Sequence, residues 1–299
     1  MKDILLRRRN LLICKQEKNI RAVCFEADGE QTVAITKVGS APAITMQYSY
    51  NGSFWRDWDL SALPFGGDTK VYVRGVGNVR FGIDSSNYNR ISFSTDAFVY
   101  VSGIVESLLD GENEVLVYSI SSILRNLFYQ QTALRSAENL HFEAIRTNYS
   151  GVAVYAYMFY GCTNLLYAPK ALSITKFSGS YECAYMFAGC TSLVTAPELP
   201  ATSLYGYVYR YMFQGCTSLV NAPELPATAL SQYCYQNMFY GCTSLKSIRC
   251  HAKVPASNAI SNWLNGVKTS GTFYGHAEYG YSSGASGIPD TWTFEELTD

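Results

Sequence analysis

The sequence predicts an α+β, mainly β protein: an N-terminal antiparallel β-sandwich followed by a short repeat solenoid with degenerate caps. Three observations predict it. One phrase returns four times between residues 155 and 248, short β-rich runs broken by Gly, Asp and Asn fill residues 18–102, and the units flanking the clear repeats keep only parts of the phrase. The expected organisation is an N-terminal arm (1–17), a sandwich (18–102), a connector (103–123), the repeats (124–270) and a C-terminal cap (271–299).

The phrase is Tyr157-Met158-Phe159-Tyr160-Gly161-Cys162-Thr163, and it recurs around Met186, Met212 and Met238 at steps of 28, 26 and 26 residues. A fixed period of this size means stacked units, none of which can bury its apolar face alone. Within one unit Leu204, Val208 and Met212 fall at i, i+4 and i+8, which predicts one stripe of a short helix. Gly215 is placed where the chain must leave that helix in a left-handed conformation. Cys216 then turns inward, and Pro223 and Pro226 keep the return segment from becoming a long paired strand. Leu127-Phe128 begins a degenerate copy ahead of the first clear unit, and Trp263-Leu264-Asn265-Gly266 is one after the last. Trp263 and Trp292 are the expected cap residues, with a closing strand over 288–294.

Ahead of the repeats, Ile20–Phe25 and Thr32–Thr36 flank Asp28-Gly29, and Met46–Tyr50 and Ser53–Trp55 flank Asn51-Gly52. Both patterns predict β-hairpins. Further runs near 70–74, 80–83, 90–93 and 98–101 bring the total to the roughly 7–8 strands of a sandwich. Gly103 to Gly111 reads as a short helix with a glycine stop. In the arm, Leu5, Leu6, Leu11 and Leu12 surround Arg7, Arg8 and Arg9, as either a docking segment or a frayed terminus.

Composition excludes several classes. A formal net charge of −1 argues against a nucleic-acid footprint. No apolar run reaches the roughly 18 residues of a membrane span, and Leu11–Cys14 is too short for the core of a secretory signal. Nine cysteines include Cys162, Cys190, Cys216 and Cys242 at one repeated place, the pattern of small buried residues in a ladder. No convergent Cys/His spacing predicts a metal, and no glycine loop predicts a phosphate site. The three histidines, His141, His251 and His276, form no catalytic set with a nucleophile. The expectation is therefore a protein that is not an enzyme, without cofactor or metal.

Binding is the remaining chemistry. Charged residues are only 16% of a chain with 24 Tyr, so tyrosine hydroxyls must carry part of the surface. Tyr155, Tyr160, Tyr181, Tyr205, Tyr209, Tyr233 and Tyr240 crowd the expected helical side of the repeats. They are candidates for contact with a glycan or protein, the alternative being that they pack between units with their hydroxyls at the rim. Trp55 and Trp58, near Tyr48 and Tyr50, are candidates for a sugar-stacking surface, or else ordinary members of the sandwich.

The run Met-Phe-x-Gly-Cys-Thr-Ser-Leu followed by Ala-Pro-Glu-Leu-Pro-Ala-Thr resembles the BspA-like leucine-rich repeats of Bacteroidales surface proteins and of phages infecting those bacteria. The likeness is strong over 155–250 and weak over 124–154 and 251–299. Ala222-Pro223 departs from it, standing where a second leucine is usual. The resemblance implies a leucine-rich-repeat solenoid in a non-enzymatic structural or binding protein. That protein would be a phage virion-associated fibre or decoration module contacting a host receptor or glycan and other virion proteins. A bacterial cell-surface adhesin is the alternative. A fibre would be a homo-oligomer, though no heptad demands one.

Overall fold

The computed structural model describes residues 20–111, 117–118, 121–142, 146–147, 153–177, 179–253, 258–277, 280–284 and 286–297. The expected N-terminal arm lies outside them. The mainly β character holds, but the α+β class and the leucine-rich-repeat solenoid do not. Among the described residues there is no α-helix, only one 3-10 helix at Val105–Leu108 where a longer connector helix was expected.

Fourteen strands are β1 (Val23–Ala27), β2 (Gln31–Val38), β3 (Met46–Ser49), β4 (Arg56–Trp58), β5 (Leu63–Phe65), β6 (Val71–Gly75), β7 (Tyr88–Phe93), β8 (Val99–Ile104), β9 (Val117–Tyr118), β10 (Leu134–His141), β11 (Arg146–Thr147), β12 (Ser247–Arg249), β13 (Thr272–Gly275) and β14 (Thr293–Glu296). A six-stranded sheet runs β10-β8-β1-β6-β3-β4, and a three-stranded one runs β5-β2-β7. Val23, Phe25, Val33, Ile35, Phe65 and Ile91 fill the core that the two share.

The Asp28-Gly29 turn does not close a hairpin. β1 pairs with β6 and β8, while β2 pairs with β5 and β7, so the chain crosses there from one sheet to the other. Burial is the reason: β1 is covered on both faces, with Val23 and Phe25 in the main core and Cys24 against Tyr72 on the other side. A strand so placed needs a neighbour on each edge, and the runs of β6 and β8 supply them. The second expected hairpin exists with a longer loop: Met46 lies opposite Trp58 and Tyr48 opposite Arg56.

The six-stranded sheet takes β10, from the far side of the connector, in parallel against β8. Buried residues then continue without a break from this sheet through the repeats to Trp292.

The repeats are spirals of tight turns. In each of six runs, residues four apart have positive φ, as at Tyr207 (64°), Tyr211 (56°) and Gly215 (71°). The amides between them alternate. Arg210, Met212, Gln214 and Cys216 donate to carbonyls three residues back, while Tyr207, Tyr209, Tyr211, Phe213 and Gly215 donate to carbonyls of the next repeat, from Gln232 to Tyr240. A left-handed residue every fourth position resets the turn, so it cannot propagate as a helix. The i, i+4, i+8 stripe is real, and Val208 and Met212 are fully buried, but its period is the four-residue turn and not the 3.6 of a helix. The return segments meet through isolated bridges such as Tyr167–Thr195 and Leu225–Cys250, not through one strand per repeat.

The stack has a direction. Within the turn runs the inter-repeat N–H groups point towards the C-terminal end and the carbonyls towards the other, whereas the return segments bond in both directions. At the first turn run those carbonyls are taken by the preceding sheets: Phe81 N–H donates to Ile123 O and Ile91 N–H to Leu127 O. At the other end β12, β13 and β14 form a parallel sheet. Trp263 and Trp292 are buried there, their indole N–H groups donating to Gly287 O and Lys268 O.

Two columns hold the interior. Phe128, Phe159, Phe187, Phe213 and Phe239 stack face to face at 5.2–5.6 Å, within 7° of parallel. Beside them the thiols of Cys162, Cys190, Cys216 and Cys242 donate to the carbonyls of Phe128, Phe159, Phe187 and Phe213 at 3.0–3.2 Å. These cysteines are free and buried. Burial raises the Cys162 thiol from its ordinary 9.0 to about 12, and likewise Cys242, so each remains an S–H donor.

A folded-state pKa above the unfolded one stabilises the fold fully below pH 9.0 and loses that contribution as pH rises towards about 12. The expected result is a flat stability plateau through pH 8, a steady fall above 9.0, and no reaction of these four thiols with a disulfide reagent at pH 8 until the chain unfolds. Prompt labelling of any of the four in the native state would contradict the ladder.

Candidate functional site

Of the eighteen residues at the positive-φ positions of the turn runs, six are tyrosines: Tyr157, Tyr181, Tyr185, Tyr207, Tyr211 and Tyr233. Each left-handed L-residue costs roughly 1–2 kcal/mol. The turn geometry points their side chains outward, and they pair across repeats. Tyr157, Tyr185 and Tyr211 stack at 4.6 Å, within 9° of parallel. Tyr181, Tyr207 and Tyr233 stack at 4.4 and 4.9 Å. All six are half-buried.

Stacking occupies the ring faces inside each ladder. Arg125 lies 4.7 Å over Tyr157 at one end. Arg210 lies 4.9 Å from the centre of Tyr211 and 5.7 Å from that of Tyr207. What remains towards solvent is ring edges, hydroxyls and guanidinium groups. Burial pushes the Tyr185 hydroxyl up to about 12, against the pull of Arg210. It raises Tyr157 and Tyr181 too. These hydroxyls stay protonated, and are donors, across the neutral range.

The nine residues expected to form a binding surface separate in the structure. Tyr155, Tyr209 and Trp58 are buried and cannot meet a partner. Tyr155 donates to the Glu106 carboxylate at 2.7 Å, Tyr209 packs edge-on against Phe177, and the Trp58 indole donates to Ser61 O. The four-residue turn is the reason: Tyr155 and Tyr209 sit two residues beyond a left-handed position, on the inward side. Trp55 is half-buried with one face under Arg74 at 4.3 Å. Tyr160 stacks on Tyr129 at 5.2 Å. Tyr181 and Tyr233 are ladder members, whereas Tyr205 and Tyr240 are exposed outside the ladders. Tyr157, Tyr185, Tyr207, Tyr211 and the two arginines complete the face. The four-residue spacing of Tyr181 with Tyr185, and of Tyr207 with Tyr211, was the available signal, but a helix would have dispersed them.

Concavities lie elsewhere. A groove of about 630 Å³ is lined by Glu30, Thr32, Tyr50, Phe65, Thr69 and Thr95. A smaller one of about 320 Å³ runs between the prolines of two return segments, beside Glu198 and Glu224. Among the described residues no three His, Cys, Asp or Glu side chains converge to hold a metal ion, and no helix is long and apolar enough to cross a membrane.

Fold and face together define a mainly β repeat protein with a cation-bearing tyrosine surface. Comparison with protein-family models, with curated proteins and with solved structures found no match to the chain.

Proposed function

We propose that the protein is a non-enzymatic binding module whose tyrosine ladders are the recognition face. One observation carries this reading. In the same column of the stack, Asn126, Asn237 and Asn262 make the turn that Tyr157, Tyr185 and Tyr211 make. Asparagine tolerates the left-handed conformation, so the scaffold does not require tyrosine there. A row of residues that breaks the local rule marks a surface retained for contact. The proposed setting is a phage particle, with a host receptor or glycan as partner; a bacterial surface is the second. Both come from the resemblance of the repeated phrase and not from the geometry.

Two measurements test this. Immunoblotting of purified phage particles and of cell fractions locates the protein, and its absence from both particles and cell surface would refute the setting. Tyr207→Asn is expected to cost less than about 2 kcal/mol, because relief of the left-handed strain offsets part of the lost stacking. It should abolish binding of labelled protein to intact Bacteroidales cells. Undiminished binding by the folded variant would sink the assignment of this face.

A further inference from the structure

We propose that the strip between the two tyrosine ladders is a receptor for a carboxylate-bearing saccharide, with Arg210 as the cationic centre and the tyrosine hydroxyls as donors. This rests on the tyrosine face being the recognition surface and names its ligand class.

Arg210 lies where the ladders come together, over Tyr211 and Tyr207, and its charge opposes the burial-driven rise of the Tyr181 hydroxyl. Its Nε–H is buried and has no hydrogen-bond acceptor. Among the described residues no carboxylate lies within ion-pair distance of Arg210. Arg125, at the Tyr157 end, repeats the arrangement: its Nε–H is also buried and unpartnered. The nearby acid, Asp84, is already occupied by Ser86 N–H, Asn87 N–H and the Asn87 amide. Arg210 thus sits in a partly buried aromatic strip without a carboxylate partner, while Arg125 keeps Asp84 as a nearby counter-charge. A partly buried cation without an anion is costly; the Nε–H itself is closed to solvent, and an oxyanion meeting the terminal guanidinium nitrogens would supply the opposite charge through charge-assisted hydrogen bonds.

The rest of the ligand follows from the rings. A neutral sugar normally stacks its C–H face on an open aromatic face, and here the faces inside each ladder are taken by neighbouring tyrosines. Hydroxyl groups about one repeat apart suit a polyhydroxyl ligand bound along its edge. Tyr157, Tyr181 and Tyr185 keep their protons because burial raises all three, so they act as donors towards an anion.

The test is calorimetric titration of the full chain with 3′-sialyllactose, lactose, sodium sulfate and a short oligoglutamate peptide. Sialyllactose is expected to bind at least tenfold more tightly than the other three. Arg210→Gln should lower its affinity at least tenfold with melting temperature preserved. Tyr181→Phe, which removes one hydroxyl and no ring, should lower it several-fold and keeps the test valid if Arg210→Gln does not fold. Equal affinity for lactose would remove the carboxylate from the proposal. Equal affinity for sulfate would reduce the site to a small-anion pocket, and tighter binding of oligoglutamate would make the partner an acidic peptide; either overturns it. If Tyr207→Asn abolishes cell binding while Arg210→Gln and Tyr181→Phe leave it intact, the face stands as the recognition surface and only the oxyanion assignment falls.

Discussion

Phe187→Ala is expected to destabilise the protein by about 4 kcal/mol, within the range for deleting a fully buried phenylalanine. Phe187 is wholly buried, stacked at 5.2 Å on Phe159 and at 5.6 Å on Phe213. Its removal opens a cavity in the middle of the column and breaks two ring contacts, each worth about 0.5–1.5 kcal/mol beyond area burial. Adjacent rings are held by their own inter-repeat hydrogen bonds and cannot collapse to fill the gap. Denaturant unfolding measures the loss. Val194→Ala, at an exposed position, should change stability by less than about 0.5 kcal/mol in the same assay. A loss below about 1.5 kcal/mol for Phe187→Ala would mean that the column is not the principal interior of the stack.

Gly215→Val should cost about 2 kcal/mol, and here strain, not crowding, is the cause. Gly215 has φ +71°, and a Cβ placed there would lie 4.0 Å from Gly189, an ordinary contact. There is room for a side chain, but a β-branched residue must be forced into a left-handed turn. Gly215→Asn is therefore expected to cost less than half as much, since Asn takes the preceding left-handed position of other runs at 237 and 262, and the glycine column itself accepts Gln130 at φ 56°. Equal melting of the valine variant and the parent chain would remove the left-handed exit from the account of the repeat. Equal losses for Val and Asn would point to packing instead.

Much of this was legible in the chain. The register of the repeats, the inward Met, Phe and Cys, the glycine with positive φ and the tryptophan caps all follow from spacing and residue type, and each depends on contacts within one unit or with its nearest neighbour. The turn run carries the signature of a helix because the two periods, four residues and 3.6, differ by less than half a residue. Over Leu204, Val208 and Met212 the two are indistinguishable. The hairpin at Asp28-Gly29 failed for a different reason: a turn signal reports where the chain bends, not which strands lie beside it afterwards.

The candidate site was legible in kind but not in membership. A surplus of tyrosine beside few charges pointed to an aromatic surface. Which tyrosines face outward depends on their position relative to the left-handed residues, so Tyr155 and Tyr209 went to the core while Tyr157 and Tyr211 went to the surface. The position of Arg210 was not legible, because an arginine among tyrosines meets the rings of Tyr207 and Tyr211 only when the turn run has folded.

By itself, then, the sequence determined a mainly β chain with a repeating unit of about 26 residues, its buried columns and its ends. Tertiary structure alone decided that the unit is a spiral of turns, that the first turn run is capped by N–H groups of the preceding sheets, and that two tyrosine ladders enclose a cation. The physical reason lies in where the hydrogen bonds go. About half of the amides in each turn run but the last are satisfied by the next repeat, about 26 residues away, and only the stacked chain shows whether that partner, or the local carbonyl of a helix, takes them.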